Sequence, residues 1–415
     1  MNKLEIFEDV VAVMREDSSS CKDKKGADPS EYRKKIREDM PDIEFLFLVN
    51  SYLATFGLTG HLWFGRKGIH GIMFQVQRYE NVLYVTKAAE QSGLTAGEKI
   101  IGIDGLSVKE FGERHKEFLF GETEERQAPH WNYLLKYAKT VTVEDAGGNI
   151  RTVEIVLGKG NGEGEKYVCR ELEPGITFLR LADFNEEDKI QQLYAENEVL
   201  MKNSKILVID ARGNGGGSDT AFLPLIPYCL PVGMNLRDID FGSDGMEINY
   251  SVRNCEMRLK AMEEYLEMEL PEETRTILND MKGELQKNFG KGFCQEGSQV
   301  DLDIPADPDT KVEKVYIITD SNCASSGDNF VQVFGKLPKV TVVGRPTMGI
   351  LDYSNVAMIE YSEFWIGYPT SRLMGVENGN GMMGKGVPVD VYVPWTPEHL
   401  KRDVDMDKVR ELIQV

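Results

Sequence analysis

The sequence predicts a mixed α/β protein of more than one domain, on three observations. Over residues 167–229 and 312–395, short apolar β-branched runs alternate with amphipathic helical stretches, the pattern of a sheet covered by helices. Over residues 60–160 the pattern changes to short strands punctuated by glycine turns. At 415 residues the chain exceeds what one ordinary core organises. The expected organisation is an N-terminal helical segment over 1–58, a small β domain over 59–160, and an α/β core over 161–415 with a helical insertion at 232–300.

In the first segment, Asp28-Pro29-Ser30 opens a helix over Glu31–Asp39. Asp42–Phe56 repeats apolar residues (Ile43, Phe45, Leu46, Leu48, Val49, Leu53) at helical spacing. In the small domain, strands are expected at Met73–Tyr79, Val82–Thr86, Lys99–Ile103, Thr140–Glu144 and Arg151–Leu157, with one short helix over Lys87–Ser92. The polar loop Gly158–Gly164 marks a boundary. The core then reads strand Ile176–Arg180, helix Glu186–Met201 and strand Ile206–Ile209. The insertion reads as two charged helices, Glu256–Glu269 and Glu272–Asn288, either a solvated face or a lid over a cleft. A buried strand at Val315–Thr319 leads to a helix from Ser326 with Phe330, Val331 and Phe334 on one face. Val404–Ile413 closes the chain as a helix.

Composition narrows the function. A formal net charge of -20 argues against nucleic acid and against anionic membranes, both of which select basic surfaces. The acidic, amphipathic start lacks the basic end and apolar core of a secretory signal, and apolar clusters such as Phe45–Val49 are too short to cross a bilayer. The six cysteines are scattered with no C-x-x-C, so neither a zinc site nor a thiol redox pair is expected, and reduced thiols in the cytoplasm are. Cys323 reads as a small packing residue. No metal or organic cofactor is implied; an oligomer stays open.

Chemistry concentrates in three places. Ser325, in D-S-N-C-A-S-S-G-D from Asp320, sits where a turn becomes a helix, beside free N–H groups at the positive helix end. Two readings stand: a nucleophile whose neighbouring donors hold an oxyanion, or an N-cap completed by Asp328 three residues on. The cluster Gly213, Gly215, Gly216, Gly217 follows an apolar strand and lets backbone approach a ligand. No Gly-Lys-Ser or Gly-Lys-Thr follows, so a P-loop fits poorly; an oxyanion contact or a plain tight turn remains. A serine nucleophile needs a base, and of the five histidines His61, in F-G-L-T-G-H-L-W-F, is the first candidate and His70 the second.

Three motifs in order resemble the tail-specific, or C-terminal processing, proteases: V-I-D-A-R-G-N-G-G-G (Val208–Gly217), T-D-S-N-C-A-S-S-G-D (Thr319–Asp328) and V-G-R-P-T-M-G (Val343–Gly349). The stretch Tyr79–Gly105 looks like the PDZ domain such proteases carry, although Gly68–Ile72 only loosely fits its carboxylate loop. Gly384–Thr396 is similar to the family's closing segment. The resemblance implies a crotonase-like (ClpP-like) α/β core, a PDZ-like domain that takes an extended peptide or C-terminal end as an added strand, and a peptide or protein substrate.

The resemblance also assigns roles. Ser325 aligns with the nucleophile, and the N–H groups of Ser326 and of Gly216 or Gly217 with the oxyanion hole. Many members place a lysine base after the T-x-G turn; here that position is Ile350, and Lys385 is a poor substitute. The chain is therefore similar to the tricorn-like branch, in which a histidine before the PDZ domain is the base. That histidine is His61, expected to be oriented through Glu377, which is similar to the branch's supporting glutamate, or through a backbone group. Gly60 departs from the polar residue the branch carries before its histidine. The expected activity is that of a serine peptidase. The alternatives are an inactive peptide- or ligand-binding protein on the same scaffold, motivated by Ile350, and a hydrolase of small esters or amides.

Overall fold

The structure, a computed structural model, describes residues 1–58, 60–158, 164–242, 245–268, 272–296 and 302–414. The chain divides into two compact units. One gathers Met1–Gly68, Ser243–Gln299 and Asp352–Gly381; the other gathers Ile69–Gly242, Val300–Leu351 and Met382–Val415.

The second unit is built on a six-stranded sheet in the order Tyr167–Glu173, Ile176–Leu181, Ile206–Asp210, Lys314–Thr319, Val340–Gly344, Val391–Tyr392. The first pair is antiparallel and the rest are parallel. Alternate residues bury on opposite faces, as the two-residue period of a strand requires. Leu207, Ile209, Val315 and Ile317 pack with Ile190, Phe330 and Phe334 on one face. Val208, Tyr316, Ile318 and Val343 pack with Met406 and Val409 of the C-terminal helix Val404–Ile413 on the other. A parallel sheet covered on both faces has near-continuous apolar strands, which is why these were readable in sequence.

The parallel arrangement brings three loops side by side. Asp210 pairs with Ile318, and Thr319 with Gly344, so the chain leaves the carboxyl ends of three neighbouring strands at one edge of the sheet. Those loops are the glycine cluster, the Ser325 turn and the Pro346–Ile350 turn. In open α/β sheets this is where ligands bind.

The same unit carries a small antiparallel sheet, in the order Phe74–Tyr79, Val82–Ala88, Lys99–Ile103, Thr140–Glu144, Ile150–Glu154. Its core includes Val76, Leu83, Val85, Ile100, Trp131, Val141 and Val143. The helix expected over Lys87–Ser92 is corrected: Lys87 and Ala88 pair with Gln75 and Phe74, and only Glu90–Ser92 make a single turn. Two helices unforeseen in sequence, Val108–Arg114 and Ala128–Leu134, complete the domain. Of the loop Gly158–Gly164, residues 159–163 lie outside the described residues.

In the first unit the helix Asp42–Ala54 packs Phe45 edge-on against Phe64 and Phe364. The helix expected over Glu31–Asp39 is shortened to Ser30–Arg33, because no residue from 31 to 39 is buried and nothing rewards its extension. The insertion contributes the helices Val252–Leu266 and Glu272–Asn288, and also two strands not foreseen, Met246–Tyr250 and Gly292–Glu296. They join Trp63–Arg66, Tyr353–Tyr361 and Phe364–Leu373 in one five-stranded sheet. Among the described residues no helix is long and apolar enough to cross a membrane.

Candidate active site

Ser325 immediately precedes the helix Ser326–Phe334, at the carboxyl end of the strand Lys314–Thr319. Its backbone adopts φ 57° and ψ -121°. A side chain is disfavoured in that region, so the surroundings must hold it there. A strand-to-helix turn with such a residue presents its side chain outward, and Ser325 is half-buried while Ala324 and Ser326 are buried.

Asp328 supplies much of the hold. Its carboxylate accepts the N–H of Ser325 at 2.8 Å, of Gly349 at 2.7 Å and of Ile350 at 3.0 Å. Asp328 is fully buried. Burial pushes its carboxyl above the usual range, opposed by the Thr347 side chain and the three N–H donors. The capping interaction read from sequence is therefore present, but it belongs to a larger clamp joining the serine turn to the Pro346–Ile350 loop. Ile350 is buried, and its contribution is that N–H.

The glycine loop completes the surroundings. Gly216 has φ 97°, and a Cβ there would stand 2.7 Å from Ser325 Cβ and 2.9 Å from Ser326 N. Only glycine lets this loop lie against the serine turn. Its own N–H donates to Asn214 Oδ1 at 2.9 Å, so Gly216 contributes space, not the donor expected of it. Gly217 lies beside Phe184, whose N–H reaches Gly216 O at 2.8 Å and whose carbonyl accepts from Ser218 N–H at 2.9 Å. In such a parallel bridge the N–H of Gly217 itself points away from Phe184, and Gly217 is exposed. Ser326 Oγ donates to Asp219 at 2.5 Å, which pins the first turn of the helix. Cys323 is fully buried, with its thiol pushed well up by burial, as a packing residue should be.

Two arginines anchor these loops to the C-terminal helix. Arg345 makes a bidentate pair with the buried Asp405 at 2.6 and 2.7 Å. Arg212 reaches Asp210 at 2.9 Å, Asp403 at 2.7 Å and Asp405 at 3.1 Å. Burial works to raise the Asp405 carboxyl, but His399, Arg345 and Arg212 hold it well below the usual carboxylate range.

In the first unit, His61 is half-buried and its Nδ1 lies 2.7 Å from the Tyr353 carbonyl oxygen. A carbonyl only accepts, so in the neutral ring Nδ1 carries the proton and Nε2 the lone pair. That tautomer is the one a base working through Nε2 needs. Of the two orienting partners expected, Glu377 or a backbone group, the one at Nδ1 is the backbone group. The Glu377 carboxylate instead pairs with Arg372, a buried guanidinium that also reaches Glu247 at 2.8 Å. Lys385 is exposed, and His70 likewise. Among the described residues no group of three or more His, Cys, Asp or Glu side chains could hold a metal ion.

Sequence reasoning missed Asp219, Asn214 and the Tyr353 carbonyl. Asn214 lies within the glycine cluster and Asp219 just after it, and their polarity in the loop after a strand was the available signal. A main-chain carbonyl carries none.

Residues 175–393, more than half of the chain, match the family described as Peptidase family S41. The chain belongs to peptidase family S41. The match takes in the glycine loop, the serine turn and the Pro346–Ile350 loop. Solved structures with a similar fold include mature CPAF complexed with lactacystin, at 13% identity and TM-score 0.66, covering 99% of this chain and 98% of that one. Mature CPAF alone gives 13% and 0.64 over 99% and 96%. A putative peptidase from Parabacteroides merdae ATCC 43184 gives 15% and 0.50 over 100% and 98%. At such identities the likeness speaks to the fold of this S41 peptidase alone. No curated protein sequence matches it significantly.

Proposed function

We propose that this S41 peptidase is a serine peptidase of the tail-specific, tricorn-like type, with Ser325 as nucleophile and His61 as base. The observation that carries the reading is the backbone of Ser325, at φ 57° and ψ -121° ahead of a helix, a cost of roughly 1–3 kcal/mol that a mere cap has no reason to bear. Ser325 Oγ attacks the peptide carbonyl carbon as Nε2 of His61 takes its proton. The tetrahedral oxyanion is held by the N–H groups of Ser326 and Gly217, since that of Gly216 is engaged with Asn214. Collapse expels the amine, which takes the proton back from the imidazolium, and water then releases the acyl group by the same steps.

The small β domain acts as the PDZ-like reader of peptide ends. Its strand Phe74–Tyr79 is one edge of its sheet. The Val76 N–H is already accepted by Asn132 Oδ1 at 2.8 Å, so an added strand must displace that amide.

A fluorophosphonate probe tests the chemistry. Wild type is expected to form an adduct at Ser325, Ser325→Ala none, and His61→Ala an adduct formed about 10²-fold or more slowly. A silent wild type leaves the peptide-holding alternative instead, and an adduct that survives Ser325→Ala places the nucleophile on another residue.

A further inference from the structure

The loop Pro346–Ile350 is gripped from two sides. Toward the serine turn, the N–H groups of Gly349 and Ile350 hold Asp328, and Met348 N–H donates to Cys323 O at 2.7 Å. On the other side, three consecutive carbonyls of the loop accept from one side chain. Arg126 Nη1 reaches Pro346 O at 3.1 Å, and Nη2 reaches Thr347 O at 2.6 Å and Met348 O at 3.2 Å. Its Nε donates to a fourth carbonyl, Gly384 O, at 2.9 Å.

Arg126 belongs to the single turn Glu124–Gln127 of the small β domain. Among the described residues no carboxylate forms an ion pair with it. A half-buried guanidinium resting on neutral carbonyls is a costly arrangement if stability were its only purpose. Its planar fork fixes several acceptors in one geometry, which the point charge of a lysine does not. Room is kept for it: a Cβ on Gly386 would stand 2.0 Å from Thr347 O and 2.8 Å from Arg126 Nη2.

We propose that Arg126 is a positioning residue for the nucleophile. It fixes the loop so that Gly349 and Ile350 hold Asp328, and Asp328 holds the Ser325 N–H in its left-handed conformation. The proposal rests on Ser325 being the nucleophile. The plain rival is a staple that only fastens the small domain to the core.

Full-length wild type, Arg126→Ala and Arg126→Lys separate the two. The lysine variant keeps the charge and loses the fork, so it stands in if the alanine variant does not fold. The readouts are the fluorophosphonate rate at Ser325, resolved into probe binding and bond formation, and amide hydrogen exchange. The expected result is a roughly 10- to 100-fold slower bond-forming step with probe binding unchanged. The amides of Gly349 and Ile350 should exchange faster, while those of the strand Lys314–Thr319 keep their protection. Wild-type exchange at Gly349 and Ile350, or a wild-type bond-forming rate, in either variant overturns the proposal. Should wild type itself take no probe, the nucleophile reading fails, and the exchange data still decide whether Arg126 holds the loop.

Discussion

Ser325 is a residue kept in a conformation it would not choose, and one buried carboxylate does most of the keeping. Oδ2 of Asp328 accepts from both Ser325 and Ile350, and Oδ1 from Gly349. An asparagine cannot serve all three donors, because its NH₂ group must face at least one of them. Asp328→Asn is therefore expected to cost about 1–3 kcal/mol for the buried group left unsatisfied. It should also slow probe attachment at Ser325 more than that loss of fold stability explains. Chemical denaturation and labelling kinetics on the same preparation check this; unchanged labelling beside lowered stability would confine Asp328 to a structural role. At this scale the serine turn was legible, since a serine at a strand-to-helix turn is a pattern of residue types. Asp328 was half legible, as the third residue after a cap. The partner of His61 was not, because Tyr353 holds it by a main-chain carbonyl that any residue at that position would offer.

Two of the three loops at the carboxyl end of the parallel sheet are tied to an element far along the chain. The helix Val404–Ile413 presents Asp403 and Asp405 at its start, where negative charge is favoured by the helix dipole, and these receive Arg212 and Arg345. Asp405 is fully buried, so removing its charge leaves two guanidinium groups short of a partner. Asp405→Asn should cost about 3–5 kcal/mol at neutral pH. The pH dependence has a definite sign. The carboxyl is held below its ordinary value, so its contribution is complete above the usual carboxylate range and fades as pH falls through the lowered pKa. The stability gap between wild type and Asp405→Asn should thus close on acidification. A gap constant from neutral to strongly acidic pH would contradict the assignment. Elements were legible where burial makes the pattern: the closing helix was read from Val404 to Ile413, as found. The strands Met246–Tyr250 and Gly292–Glu296 escaped notice because charged helices surround them and residues such as Glu247 are buried on salt bridges to Lys22 and Arg372, not on apolar contacts. The helix Val108–Arg114 carried a usable signal, the Ser107/Glu110 capping box, that went unread.

At the scale of the whole molecule, linear order and spatial order diverge. Three separated segments, Met1–Gly68, Ser243–Gln299 and Asp352–Gly381, make one unit. Composition changes along a chain mark successive pieces and cannot report that distant pieces share a sheet, which is why 1–58, 59–160 and 161–415 read as the natural divisions. Net charge, by contrast, needs no fold to be read. At -20, the molecule surrounds itself with a negative potential that favours approach of cationic chains and repels anionic ones. For a peptidase this becomes a selectivity acting on encounter. With two peptides sharing one cleavage segment, one flanked by lysines and the other by glutamates, kcat/KM should be higher for the basic peptide by about tenfold or more at low salt. The ratio should collapse as salt rises, because the screening length shrinks to about 10 Å near 0.1 M and about 3 Å near 1 M. The preference should lie in kcat/KM and vanish from kcat, since long-range attraction alters arrival and not the bond-breaking step. Equal efficiency for both peptides at low salt would mean that the field of the whole chain does not select substrates, and a preference that persists at high salt would assign the selection to short-range contacts.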